Sequence, residues 1–121
     1  MTQIKIVVTG FILIFLTGYW LNRKGQPFNT IVLAIHKLIT IATIAYLVLT
    51  VLRISRIAPL SPVEWIVFIW VAVVFLLTVA SGGWLSAVKI VPAAVRTLHH
   101  ILPFLTALST AAAFYLFFLK E

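Results

Sequence analysis

An all-α integral membrane protein, a four-helix bundle running up-down-up-down, is the fold class this sequence predicts, and three observations carry the prediction. Hydrophobic residues make up 64% of the 121 residues and charged residues only 9%, against about 25% charged in an average soluble domain. Four apolar runs each approach or exceed the ~20 residues that carry a helix across a bilayer. Short stretches of Gly, Pro, Asn and basic residues separate them, as expected for turns between antiparallel neighbours. With a mean hydropathy of +1.22, residues 1–121 read as a single transmembrane domain.

The first span is expected at about 4–21. Lys5 ahead of an apolar stretch resembles the start of a signal peptide, but no small-residue cleavage site follows. The apolar run continues instead to Tyr19-Trp20, a pair suited to the membrane interface, which favours a retained helix. A turn is expected from Asn22 to Pro27. The second span, about 29–52, starts at Asn29 or Thr30, either of which can cap it. Arg53, Ser55, Arg56 and Pro59 make the second loop.

Ser61-Pro62-Val63-Glu64 opens the third span, 62–81, with an N-cap Ser, Pro at the first helical position and Glu at the third. That is a capping box, and it accounts for Glu64 structurally. The span is expected to end near Ser81-Gly82-Gly83, with Trp84 to Val91 at the interface. Pro92 opens the fourth span, 93–119, before Lys120-Glu121.

A net charge of +7 and a pI near 10.4 point to nucleic acid only when the charge gathers in a patch. Here nine Lys and Arg are scattered over loops and helix ends, so they read as snorkelling contacts with headgroups, and nucleic acid is excluded as a partner. The absence of Cys excludes disulfides, thiolate metal sites, iron–sulfur clusters and covalently attached haem. The expected location is a prokaryotic cell membrane. Arg23, Lys24, Lys89 and Arg96 on one face balance Lys5, Arg53, Arg56 and Lys120 on the other. The deeper Lys37 tips the first face slightly toward the cytoplasm.

Inside the spans, chemistry rests on His36, His99 and His100, because the chain has no Cys, no Asp and only two Glu. A histidine at membrane depth is costly and marks a functional candidate. With alternating spans, His36 lies about two turns into the second span and His99 and His100 about two turns into the fourth. All three are then roughly 10 Å below their helix starts, toward one face. His36, Thr40, Thr43, Leu47 and Thr50 fall on one helical stripe, as do His99, Pro103, Thr106, Thr110 and Ala113. The threonines alone suit an ordinary helix seam; a histidine at the head of both stripes favours a shared site.

A short repeat supports the pairing. Gly18-Tyr19-Trp20-Leu21 matches Gly82-Gly83-Trp84-Leu85, and Ile35-His36-Lys37-Leu38 matches Leu98-His99-His100-Ile101. The tryptophan spacing aligns His36 with His100, whereas the threonine spacing aligns it with His99. His100, beside His99 and one turn from Arg96, reads as an interfacial histidine and as the alternative ligand.

Two imidazoles on separate helices suit haem b, whose iron takes axial histidines in a bundle core. Gly10, Thr17 and Gly18 form a small-residue stripe against which a porphyrin can pack. Arg23, Lys24 and Arg96, with Lys37 and Lys89, are candidates to neutralise its propionates, and Phe28, Phe104 and Trp84 to shield its edges. The full set of candidate cofactor contacts is His36, His99, His100, Gly10, Gly18, Thr40, Thr43, Pro103, Thr106, Arg23, Lys24 and Arg96. Zinc or copper would need a third ligand that the spans lack. Cation-coupled transport normally uses an intramembrane acid, and a hydrolytic triad needs an acid beside its histidine.

One His early in the second helix, one early in the fourth and Pro103 four residues after His99 give a frame that resembles the membrane b-type cytochromes. These include the four-helix cytochromes of the b561 and ferric-reductase kind and the haem-bearing anchors of respiratory complexes. The resemblance implies a noncovalent haem and electron transfer. Cytochromes b561 usually hold a second haem toward the opposite face, where this chain has no histidine. The resemblance therefore implies one haem, exchanging electrons with a quinol or a partner redox protein. The alternative is a haem-free accessory subunit, packed in a homo-oligomer or a larger membrane complex.

Overall fold

The computed structural model describes residues 2–25 and 27–119. Met1, Gln26, Lys120 and Glu121 lie outside the described residues, so the expected turn is described without Gln26, and the expected Lys120-Glu121 end is not described. The described chain is all-α: α1 (Thr2–Lys24), α2 (Thr30–Ile57), α3 (Pro62–Ala87) and α4 (Ala93–Phe114), which ends in a π-helical turn at Tyr115–Leu119. All four helices are long and apolar enough to cross a membrane. Leu16, Leu38, Ile41, Ile66, Leu76 and Leu108 are each more than half exposed. Such a surface suits lipid, and the protein is a multi-pass integral membrane protein.

The chain divides into two compact units, 1–57 and 58–121, each a hairpin. In the first, α1 packs on α2. Gly10 lies against Thr43 and Gly18 against His36, so the contacts climb one helix as they descend the other and the pair is antiparallel. The turn is built from its caps. Gly25, at φ 68°, takes the left-handed conformation that glycine adopts without strain, and its N–H donates to the Leu21 carbonyl at 3.0 Å. This closes α1 with the αL motif. Arg23 and Lys24 occupy the last turn, where positive charge offsets the helix dipole. Asn29 starts α2: its Oδ1 accepts from the N–H groups of Ile31 and Val32 at 2.9 and 3.1 Å. Val7, Leu21, Thr43, Thr50 and Val51 are buried.

In the second hairpin α3 packs on α4. The capping box forms as expected: Ser61 N–H donates to Glu64 Oε1 at 3.0 Å and Glu64 N–H to Ser61 Oγ at 3.2 Å. Thr78 meets Thr106 and Trp70 meets Ser109, which again sets an antiparallel pair. Val71, Val74, Phe75, Leu102, Thr106, Thr110, Ala113 and Phe114 are buried.

The helices outrun the expected spans. α1 continues to Lys24 and α2 to Ile57, with Arg53 and Arg56 inside α2. The larger correction is in α3, which runs through Ser81-Gly82-Gly83 to Ala87. Those glycines read in the sequence as a helix end, and Trp84 as the start of an interfacial stretch. Gly82 is instead a mid-helix position that needs to lack a side chain.

Ser61→Ala removes the acceptor of the α3 cap and should lower stability by about 1 kcal/mol. The unfolding midpoint of the purified protein in detergent measures it; an unchanged midpoint would contradict the role given to the cap.

Candidate functional site

In a hydrocarbon medium a neutral imidazole has to find its hydrogen-bond partner within the protein. His36 is the seventh residue of α2 and His99 the seventh of α4, and each finds that partner on the other helix of its own hairpin. In the first hairpin the Nδ1 of His36 lies 2.7 Å from Thr17 Oγ1, with the Ile14 backbone beside the ring. In the second, the Nδ1 of His99 lies 2.8 Å from Ser81 Oγ and 3.1 Å from the Thr78 carbonyl. Both histidines are half-buried.

Close approach depends on glycine. A methyl group on Gly18 would come within 3.2 Å of His36 Cε1, and one on Gly82 within 2.8 Å of His99 Cε1. The hydroxyl and the glycine are consecutive in both hairpins, Thr17-Gly18 and Ser81-Gly82. They form one cradle used twice: hydroxyl to Nδ1, bare backbone to Cε1. Thr17 is 19 positions before His36 and Ser81 is 18 before His99. Equal spacing would have selected His100, but the Ser81 hydroxyl meets His99, which is therefore the counterpart of His36. His100 is exposed.

The other residues singled out in the sequence belong mainly to the helix seams. Gly10 faces Thr43, and Gly18 faces the His36 ring, so the side of the glycine stripe expected to receive a porphyrin is filled by the hairpin's own side chains. Thr40 Oγ1 donates to the His36 carbonyl at 2.7 Å, Thr43 to Ile39 and Thr106 to Leu102, both at 2.8 Å. Thr106 also meets Thr78 at 3.0 Å. Pro103, lacking an N–H, cannot give the His99 carbonyl its usual helix bond. Among the described residues the buried Thr110 hydroxyl finds no hydrogen-bond partner. Arg23, Lys24 and Arg96 are exposed near the ends of their helices.

No family model, curated protein or solved structure matches this chain. The site must be read from its own chemistry. Among the described residues no group of three or more His, Cys, Asp or Glu could hold a metal ion. Haem iron makes a smaller demand, since the porphyrin supplies four ligands and the protein one or two. An imidazole held at Nδ1 suits that demand, because a ligating histidine typically donates its other ring N–H to a fixed acceptor.

Sequence reasoning missed Ser81, which was absorbed into an expected helix end, and gave Thr17 only a place on a stripe. The signal was present: each is the hydroxyl immediately before the glycine of the repeat.

The two α3 glycines give an internal control. Gly82→Ala should displace the His99 ring and destabilise the protein by about 1–3 kcal/mol, the usual cost of overpacking. Gly83, with nothing within 4 Å of an added methyl, should tolerate Ala and gain up to about 1 kcal/mol from helix propensity. Unfolding midpoints compare them; equal effects would contradict the cradle.

Proposed function

We propose that the protein is a membrane-bound b-type cytochrome, an electron carrier in which His36 and His99 would hold one noncovalent haem b. The observation that carries this reading is the tethering of both imidazoles through Nδ1 inside their own hairpins. A ring held in this way offers Nε2 as its ligand nitrogen at little entropic cost. Bound haem would supply a one-electron redox centre. The chain's own part is to orient the two rings, surround them with apolar helices and offer cationic side chains. Arg23, Lys24 and Arg96 are the residues this reading assigns to the propionates. A quinol or a partner redox protein is the electron donor or acceptor it expects, and a prokaryotic cell membrane the setting.

A second reading has an observation of its own. The glycine faces are filled by side chains of the same hairpin, and the threonines bond their own backbone, as in a purely structural seam. On that reading the protein is a haem-free accessory subunit in a homo-oligomer or a larger membrane complex.

Absorption spectra of the purified protein, oxidised and dithionite-reduced after expression with ample haem, separate the two. The cytochrome reading expects a Soret band that shifts on reduction and a sharp α band. His36→Ala and His99→Ala should abolish haem retention, while His100→Ala should leave it unchanged. A colourless wild-type preparation would overturn the cytochrome reading in favour of the accessory subunit.

A further inference from the structure

We infer that Thr17 and Ser81 are positioning residues that fix His36 and His99 as Nδ1–H tautomers and thereby make Nε2 the ligand nitrogen of both rings. The geometry stands by itself; its redox consequence rests on the haem reading above. A Ser or Thr hydroxyl has a single proton to donate. Thr17 directs it to the Leu13 carbonyl at 2.8 Å, with the Ile14 carbonyl at 3.1 Å. Ser81 directs it to the Thr78 carbonyl at 2.9 Å. With that proton on the backbone, each oxygen presents lone pairs toward the ring, and at 2.7 and 2.8 Å this arrangement assigns the proton between them to Nδ1.

The backbone reinforces the assignment. A carbonyl can only accept, and His99 Nδ1 lies 3.1 Å from that of Thr78; the Ile14 backbone is the corresponding neighbour of the His36 ring. Ile14 and Thr78 each precede the cradle glycine by four residues, one helical turn. In the second hairpin the ring thus donates into a fork made by one hydroxyl and one carbonyl; in the first, the Thr17 hydroxyl is the partner of Nδ1. A neutral imidazole with its proton on Nδ1 carries its lone pair on Nε2.

Hydrogen bonding at Nδ1–H raises the basicity of the opposite nitrogen. On a haem held there, a more basic imidazole would favour ferric over ferrous iron. Removing the hydroxyl should therefore raise the reduction potential without removing the ligand.

The test uses the full-length protein with 15N-labelled histidine, with and without added haem. Histidine 15N resonances of the wild type should show Nδ1 protonated and Nε2 bearing the lone pair on both rings in the haem-free protein. Thr17→Val and Ser81→Ala should move the Nδ1–H proton resonance of the facing ring upfield and, in the haem-loaded protein, raise the potential. Thr17→Ser and Ser81→Thr should keep both at wild-type values. An Nε2–H tautomer on either ring of the wild type overturns the inference, and that measurement requires no variant to fold. So does an unchanged Nδ1–H resonance in both Thr17→Val and Ser81→Ala. A preparation that takes up no haem but shows both Nδ1–H tautomers supports the positioning role while overturning the cytochrome reading.

Discussion

A polar ring inside hydrocarbon must be satisfied by protein, and in this chain that requirement sets how closely the helices of each hairpin approach. Imidazole reaches only a short way from its backbone, so a hydroxyl on the facing helix can meet Nδ1 only if the two backbones come near. Glycine at 18 and at 82 permits the approach, and the preceding Thr17 or Ser81 supplies the acceptor. The remaining seam follows: Gly10 receives Thr43, and Thr106 meets Thr78. This is helix association through small residues and hydroxyls, the mode available where apolar burial gives no drive between helices.

The helices themselves were legible in the sequence because membrane spans leave a strong compositional trace. The α3 capping box was legible too, being entirely local. Two features were not. Ser81-Gly82-Gly83 carries the residues of a helix end, and only the ring packed on Gly82 explains why a glycine stands there inside the helix. The choice between His99 and His100 turns on one residue of spacing across the turn, which neither the tryptophans nor the threonines decided alone. The glycine stripe was read as a surface for a porphyrin, and within the hairpin Gly10 lies against Thr43 and Gly18 against the His36 ring, neighbours that composition alone does not reveal.

The two hairpins are variations on one plan, and their differences are as informative as their likeness. Thr40 and Pro103 both stand four residues after the histidine. Thr40 adds a hydrogen bond to the carbonyl of His36, whereas Pro103 withholds one from that of His99. The two rings are held alike at Nδ1 while their helices are modified in opposite senses at the same turn. His36 and His99 are thus equivalent in anchoring and unequal in backbone setting, and only His99 has a second histidine beside it.

Whether the tethered imidazoles serve as haem ligands decides the proposed function. Electron paramagnetic resonance of the oxidised wild-type protein, purified with haem, addresses this directly. Two neutral imidazole ligands predict a low-spin ferric signal. A high-spin ferric signal, or the absence of any haem signal, would contradict it.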